Sequence, residues 1–285
     1  MSVVSLQEDI SVAYLGPAGS YTHEAAQERF VGNNFAYKPY ASISDIFDAV
    51  ESRRTTCGIV PFENSTFGSV VTTLDCFIGS KLRISAEAYL PVHHNLLSKS
   101  KLSELKKVYS HPQALGQCKK WLATHLPGVA LVEVASTSYA AELAKEDPEA
   151  AAIASLMCAE LYSLNVIERD IEDGKNNTTR FFILGGSTST RTGDDKTYFL
   201  FTVDHRKPGA LCDALKVFKD HEINLTKIDS RPSQQRPWHY AFFVEFQGHL
   251  EDENVQGALE KLKELCPNAK ELGSYPNQRP KEDTY

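Results

Sequence analysis

The sequence predicts an α/β protein with two domains, and three observations support this prediction. The chain has 285 residues, which is enough for two domains of ordinary size. Up to about residue 190, short apolar runs alternate with helix-like segments, as in α/β folds with mainly parallel sheets. A polar, glycine-rich stretch at 185–195 follows, and after it the order of elements changes. We therefore expect one domain at 10–187 and a second at 197–275.

The elements of the first domain follow from apolar patterning and from helix-start signals. Ser42 and Asp45 have the spacing of a capping box ahead of an apolar helical face, and Pro112 suits the first turn of a helix. In chain order we predict strand 11–15, helix 20–30, a helix around 46–50, strand 57–62, helix 68–77, strands 82–92 and 108–110, helix 112–124, strand 129–134, helix 137–145, and strands 151–154 and 179–184.

The elements of the second domain have a different order. We predict strand 197–203, helix 208–220, strands 223–230 and 238–246, helix 253–265 and strand 270–275. The resulting order β-α-β-β-α-β is typical of a ferredoxin-like fold. Residues 276–285 are expected to form a polar tail.

Composition and charge exclude several classes of protein. Apolar residues make up 42% of the chain, charged residues 24%, and the net charge is −7, so a nucleic-acid partner is not expected. No apolar run is long enough to span a membrane, and the first nine residues do not resemble a signal peptide. The six cysteines are scattered without metal-ligand spacing and are expected to be reduced and mostly buried. We therefore expect a cytoplasmic protein.

Two candidate sites lie early in the chain, where strands lead into helices, because ligands bind at the carboxyl ends of strands in open α/β sheets. The turn 16–22 carries Ser20 and Thr22 and either presents backbone N–H groups to an anion or is a tight turn with ordinary capping. The segment Glu63–Thr66 follows an apolar strand and suits either hydrogen bonding to a polar substrate or helix capping.

Two further candidate sites lie later in the chain. Either Ser110 or His111 is expected to cap the helix that Pro112 opens, with Gln117 near the start of that helix. The segment 176–181 leads into an apolar strand, where Thr179 and Phe181 would face one side and Arg180 the other, which leaves Arg180 able to pair with a carboxylate.

Metal and nucleotide sites are not expected. The pair His93-His94 has no helical partner and no carboxylate nearby in the sequence, and neither GxGxxG nor a P-loop occurs. We therefore predict no cofactor and no metal. Hydroxyl and amide donors without an evident strong nucleophile favour binding, or an elimination in which positioning supplies most of the barrier reduction.

At these four places the sequence resembles prephenate dehydratases. The stretches that carry the resemblance are Tyr14–Thr22, Gly58–Ser65, Ser110–Cys118 and Asn177–Phe182, and with the second domain it extends over about residues 10–275. It implies two α/β lobes similar to periplasmic amino-acid-binding proteins, with the active site between them, and a C-terminal ACT domain. The substrate, prephenate, would lose its ring carboxylate as CO₂ and its para hydroxyl as water.

The resemblance also implies roles for individual residues. The threonine before Arg-Phe is essential in the family and corresponds to Thr179, whose hydroxyl would stabilise the departing oxygen. The implied catalytic residues are Thr179, Arg180, Phe181 and Glu63, and the implied substrate-binding residues are Asn64, Ser65, Ser110, Gln117, Ser20 and Thr22.

The second domain carries two segments that resemble the phenylalanine-binding motifs of ACT domains. Position 212 is a cysteine where valine is common, and position 229 is an aspartate where glutamate is common. The implied effector-binding residues are Gly209, Ala210, Leu211, Asp229, Ser230, Arg231 and Pro232. We expect feedback inhibition by L-phenylalanine in a homodimer or homotetramer.

Two alternative functions remain open at this point. Arogenate dehydratase differs only in an amino group on the side chain of the substrate, and no residue of this sequence decides between the two. A non-catalytic amino-acid sensor would not need the segment Thr179–Phe181. Because only about nine residues precede the first strand, we expect a monofunctional protein.

Overall fold

The structure is a computed structural model that describes residues 10–32, 34–266 and 268–280. The first nine residues, where we expect no signal peptide, and the last five of the expected polar tail lie outside the described residues. The strands are β1 (Ile10–Leu15), β2 (Phe35–Tyr40), β3 (Cys57–Asn64), β4 (Gly68–Ser69), β5 (Arg83–Pro91), β6 (Asn95–Ser98), β7 (Lys107–Ser110), β8 (Ala130–Glu133), β9 (Ala150–Ala154), β10 (Asn165–Glu168), β11 (Thr178–Gly185), β12 (Asp195–Thr202), β13 (Leu225–Pro232), β14 (Tyr240–Gln247) and β15 (Ala269–Pro276).

Helices connect most of these strands. They are α1 (Tyr21–Arg29), α2 (Ile43–Glu51), α3 (Val71–Gly79), α4 (Pro112–Gln117), α5 (Lys119–His125), α6 (Thr137–Glu146), α7 (Leu156–Tyr162), α8 (Ala210–Asp220) and α9 (Glu253–Leu265), with a short 3₁₀ helix at Leu102–Glu104. In the described part of the chain, no helix is both long enough and apolar enough to cross a bilayer.

The chain forms two compact units. Unit one contains the residues up to 42, together with 63–69 and 90–180, and unit two contains 43–62, 70–89 and the residues from 181 onward. The elements of the predicted second domain therefore share a unit with three segments of the predicted first domain. The domain boundaries 10–187 and 197–275 stay a prediction.

The main sheet of unit one is mixed, with the strand order β10-β6-β9-β7-β8. Strand β7 is parallel to β8 and β9, whereas β6 is antiparallel to β9 and to β10. Our expectation of mainly parallel sheets is wrong here, because β6 and β10 are short strands that the apolar pattern did not reveal. The α/β class itself is confirmed.

Helices cover both faces of this sheet, and the side chains of β9 alternate between two cores. Ala151 and Ile153 pack with α4 and α5, whereas Ala152 and Ala154 pack with the buried alanines of α6. All five residues of β9 are buried, as expected for a central strand with helices on both faces. Because the facing side chains of β9 and α6 are alanines, α6 can lie close to the sheet.

The turn before α1 is held by hydrogen bonds to the backbone of Gly19. Gly19 has a φ of +82°, and a Cβ built there would lie 2.8 Å from Cys158 Sγ and 2.9 Å from Ser138 Oγ. Its carbonyl accepts hydrogen bonds from Ser155 Oγ and Cys158 Sγ, and its N–H donates to His23 Nδ1 at 3.2 Å. The N–H of Gly19, one of those expected to face an anion, is therefore already used within the protein.

Unit two contains an antiparallel sheet with the strand order β13-β14-β12-β15. Helices α8 and α9 pack on it through a core that includes Phe199, Phe201, Phe218 and Leu259. The predicted β-α-β-β-α-β order is confirmed, with helix α9 at its predicted bounds. The strand bounds of this domain differ from the prediction by one or two residues.

The other face of this sheet packs on the remaining segments of unit two. Lys196 Nζ lies 2.7 Å from Glu87 Oε1, and both side chains are almost fully buried. Gly273 lies so close to Ile84 that a Cβ would be 2.2 Å from the Ile84 carbonyl oxygen. Tyr198 contacts the stacked pair formed by Phe62 and Phe182. These contacts fix the stretches of β3 and β11 that immediately precede Glu63 and follow Arg180.

Candidate active site

The chain around Asn64 and Thr179 brings two sequence-distant segments of unit one together. The end of β3 turns back through β4, with Glu63 opposite Ser69 and Asn64 opposite Gly68. Inside this turn the backbone N–H groups of Thr66 and Phe67 donate to Asn64 Oδ1 at 3.0 and 3.1 Å. This is the local hydrogen bonding by which asparagine favours turns.

These backbone contacts fix which atom of the Asn64 amide faces the rest of the site. Because N–H groups can only donate, the atom that they bind must be the amide oxygen. The amino group Nδ2 therefore faces the other way and donates to Thr179 Oγ1 at 3.0 Å and to Asn177 Oδ1 at 2.7 Å. Thr179 Oγ1 is an acceptor in this contact, so its own hydroxyl hydrogen can be donated to another group.

Ser65 holds the segment that leads to Thr179. Its N–H donates to the carbonyl of Thr178 at 2.9 Å, and its hydroxyl donates to the carbonyl of Asn176 and accepts from the Thr178 N–H. The hydroxyl of Ser65, a predicted substrate-binding residue, is thus used to hold the backbone at 176–178.

Gln117 lies at the end of α4 and joins the same network. Its Oε1 is 3.0 Å from Asn177 Nδ2 and 2.6 Å from His94 Nε2. The His94 ring is buried, its Nδ1 lies 2.7 Å from the Tyr21 hydroxyl, and burial lowers its pKa. Burial raises the pKa of Tyr21. Both groups are therefore neutral near pH 7, and five side chains form one uncharged network from Tyr21 to Asn64, ending on Thr179.

The charged groups of the site lie next to this network. Arg180 Nη1 is 3.9 Å from Glu63 Oε2, with side chains that are 7% and 31% exposed. Adjacent residues of a strand face opposite sides, so Arg180 and Thr179 project to opposite sides of β11, as predicted. A buried guanidinium is a suitable partner for an anionic substrate group or for Glu63.

The structure does not join the remaining predicted residues to Thr179. Ser20 caps α1, accepting from the His23 N–H, and Thr22 is buried on that helix. His111, and not Ser110, caps α4, while the buried Ser110 hydroxyl donates to the carbonyl of Ile153 at 2.7 Å. Among the described residues of unit one, no hydrogen bond joins Ser20, Thr22 or Ser110 to Thr179. Their substrate-binding roles stay predictions.

Phe181 is a core residue. Its side chain is 1% exposed, and it belongs to unit two, whereas the two residues before it belong to unit one. Its predicted catalytic role stays a prediction.

We assign no role to His94 from the sequence, whereas Tyr21 and Asn177 lie inside the candidate segments 16–22 and 176–181. The sequence offers no helical partner or carboxylate near the His93-His94 pair, and in the structure Asp170 and Glu172 reach His93 from a distant segment. Glu172 Oε1 lies 3.0 Å from His93 Nδ1, and the ligand atoms of His93, Asp170 and Glu172 lie within 4.8 Å of one another.

Comparison with known proteins identifies the family. The prephenate dehydratase family profile matches residues 12–189, and the ACT domain profile matches 197–264. The chain belongs to the prephenate dehydratase family. A bifunctional chorismate mutase/prephenate dehydratase from Aquifex aeolicus is 47% identical over 274 residues, which are 96% of this chain and 75% of that relative.

Solved structures agree with this assignment. The prephenate dehydratase from Arthrobacter aurescens, solved in complex with L-Phe, is 32% identical with a TM-score of 0.85, and the match covers 94% of this chain and 90% of that one. A protein described as a novel type of quorum-quenching acylase, GqqA, also has a TM-score of 0.85, at 28% identity over 94% of this chain and 98% of its own. The fold alone therefore does not determine which reaction is catalysed, and the reaction has to be inferred from the side chains of the site.

The ACT domain of this prephenate dehydratase family member presents both predicted effector segments. Gly209 has a φ of +81° and directly precedes α8 as its N-cap, with Ala210 and Leu211 packed against the core of the domain. Arg231 donates to both carboxylate oxygens of Asp75 on α3, at 2.7 and 2.9 Å. The second effector segment is thus tied to a helix outside the ACT domain.

Proposed function

We propose that this chain converts prephenate to phenylpyruvate, CO₂ and water, and that the network ending on Thr179 carries the reaction. The observation that supports this most directly is the direction of one hydrogen bond. Asn64 Nδ2 donates to Thr179 Oγ1 at 3.0 Å, which leaves the threonine hydroxyl as a donor toward the substrate. A donor aimed at an oxygen that gains negative charge lowers the barrier to its departure.

The elimination balances with a single proton taken up. The bond between the ring and its carboxylate breaks, and CO₂ leaves. The electron pair of that bond enters the ring, which becomes aromatic, while the bond to the para oxygen breaks. The oxygen leaves as water after accepting a proton. Threonine is too weak an acid to supply this proton, so we assign its delivery to water, with Thr179 donating a hydrogen bond to the departing oxygen. Glu63, which lies beside Arg180, and Gln117 have supporting roles.

The same geometry argues against a hydrolytic acyl-transfer reaction at Thr179. A hydroxyl nucleophile needs a neighbouring base that takes its proton. The neighbour of Thr179 Oγ1 in this network, Asn64 Nδ2, is a hydrogen-bond donor and cannot act in that way. Arg180, at the next position, supports binding of the anionic substrate.

The test compares two replacements of Thr179. Thr179→Val keeps the shape and removes the hydroxyl, so kcat for phenylpyruvate formation should fall by about 10²–10³ with a smaller change in KM. Thr179→Ser keeps the donor and should retain most of the activity. Phenylpyruvate is followed by its absorbance in alkali. A folded Thr179→Val protein with the wild-type kcat would exclude the proposed role.

The preferred substrate is tested with prephenate and arogenate side by side. Prephenate carries a keto oxygen on its side chain, and arogenate carries an amino group at the same position. We expect the higher kcat/KM with prephenate, and a higher value with arogenate would assign the chain to the alternative dehydratase. Turnover of neither substrate would favour the amino-acid sensor.

We also propose that L-phenylalanine inhibits the enzyme through the ACT domain, in a homodimer or homotetramer in the cytoplasm. The L-Phe complex of the Arthrobacter aurescens relative and the segments at 209–211 and 229–232 support this proposal. None of the six cysteines forms a disulfide, and Cys118, Cys158 and Cys266 are buried, as suits a reducing compartment. Activity and sedimentation measured with and without millimolar L-phenylalanine test the effector and the assembly. No change in activity would exclude the effector role.

A further inference from the structure

His94 lies outside the four stretches that resemble the family, yet its ring is buried among polar groups of the site. Its ring is buried, with 3% of the residue exposed, and each ring nitrogen meets one polar group of the site. Nε2 lies 2.6 Å from Gln117 Oε1, and Nδ1 lies 2.7 Å from the Tyr21 hydroxyl oxygen. Both contacts are within hydrogen-bond distance, so each nitrogen has a defined role as donor or acceptor.

The role of each nitrogen follows from the backbone turn at residues 64–67. That turn fixes the Asn64 amino group as the donor to Asn177 Oδ1, so the amino group of Asn177 must face Gln117. Gln117 must then present its oxygen, since two amino groups cannot bond to each other. His94 Nε2, close to the same oxygen, must carry the ring proton.

The Tyr21 end of the network agrees with this assignment. A neutral ring with its proton on Nε2 leaves Nδ1 as an acceptor, and Tyr21 is a donor beside it. The Tyr21 oxygen also lies 2.9 Å from the carbonyl of His93, so its hydrogen has two acceptors within reach. Glu172 fixes the backbone of this histidine, because its Oε2 accepts a hydrogen bond from the His94 N–H at 2.9 Å.

We infer that His94 is a positioning residue that orients Gln117 for the reaction. Two donors, from His94 and Asn177, take both acceptor positions of Gln117 Oε1. The amino group of Gln117 is thereby turned away from the network and becomes a second neutral donor besides the Thr179 hydroxyl. This inference rests on the proposed function, since the group that receives the donor is the substrate.

The experiment is a double-mutant cycle between His94 and Gln117 in the full chain. His94→Asn removes the donor to Gln117 and should lower kcat by roughly 10- to 100-fold with KM changed by less than about threefold. His94→Gln places an amide nitrogen near the former Nε2 and should recover at least about tenfold of the loss. In a Gln117→Ala background, His94→Asn should lower kcat by less than about a further threefold, because the side chain that His94 orients is absent.

The outcomes separate the inference from the proposed function. Wild-type protein that forms no phenylpyruvate overturns the proposed function itself. An active wild type in which the losses of His94→Asn and Gln117→Ala multiply overturns the positioning role, as does a His94→Gln variant no better than His94→Asn. If His94→Asn does not fold, His94→Gln decides alone, because the inference requires its kcat to stay within about tenfold of the wild-type value. A larger loss of kcat in a folded His94→Gln protein overturns the positioning role.

Discussion

Replacing Asn64 by aspartate would reverse the hydrogen bond on which the proposed mechanism depends. The carboxylate has nearly the same shape and keeps the two acceptor contacts to the N–H groups of Thr66 and Phe67. It has no amino group, so Thr179 Oγ1 loses its donor at 3.0 Å. The threonine hydroxyl is then expected to turn and donate to the carboxylate, away from the substrate.

The size of the effect follows from the strength of the new contact. A hydrogen bond to a charged acceptor contributes about 1.5–3 kcal/mol, and it has to be broken before the hydroxyl can serve the departing oxygen. At 1.36 kcal/mol for each factor of ten, kcat should fall by roughly 10- to 150-fold. KM for prephenate should change less, because the hydroxyl acts mainly in the transition state.

Steady-state phenylpyruvate formation by Asn64→Asp and wild type measures this prediction. The matched control is Asn176→Asp, which adds the same negative charge on an exposed side chain of the neighbouring segment. It should stay within about threefold of wild type, since distant and solvated charges interact weakly. An Asn64→Asp enzyme with wild-type kcat would refute the direction assigned to the hydrogen bond, and an equal loss in both variants would assign the effect to charge alone.

Three further predictions concern regulation and stability. Asp75→Asn breaks the contact with Arg231 and should raise the L-phenylalanine concentration for half-inhibition by roughly threefold to tenfold, with basal kcat unchanged; an unchanged inhibition curve would exclude this coupling. Burial raises the pKa of Glu24 from 4.5 to about 7, so folding loses stability as pH rises from about 4.5 through 7, and Glu24→Gln should gain roughly 1–2 kcal/mol at pH 8 but little at pH 4.5 in urea unfolding, after allowing for solvent screening. Gly19→Ala should lower the free energy of unfolding by roughly 2–4 kcal/mol, because the new methyl group meets Cys158 in a left-handed backbone; a loss below about 0.5 kcal/mol would contradict the close approach.

Element order was predictable wherever apolar patterning was strong, and less so at the edges of sheets. The ACT domain, with its long helix α9 and its alternating strands, agrees with the prediction within a few residues. Strand β2 was missed because it contains Lys38 and Pro39 and lies at the end of its sheet, where polar side chains and proline are tolerated. Strand β10 was missed for a similar reason, since it too lies at an edge.

The candidate site was predictable in part for a related reason. Thr179, Asn64 and Gln117 lie in motifs with a recognisable resemblance, and the structure brings them into one network. His94 and Glu172 lie in no such motif, and their contact joins residues 78 positions apart in the chain. A pair of histidines carries no sign of which distant carboxylate will meet it, so this part of the site depended on the tertiary structure.

The packing behind Gly273 limits how freely the ACT domain can be exchanged. Only a glycine there admits the backbone of Ile84, and Lys196 neutralises a glutamate that is otherwise sealed from water. Removing the domain would take the Lys196 ammonium away from Glu87 and would expose aromatic rings of the adjoining segments. Regulatory chimeras within this family should therefore transfer residues 83–89 together with the ACT domain, because the side chains of the two segments pack against each other in pairs that a foreign domain would not match.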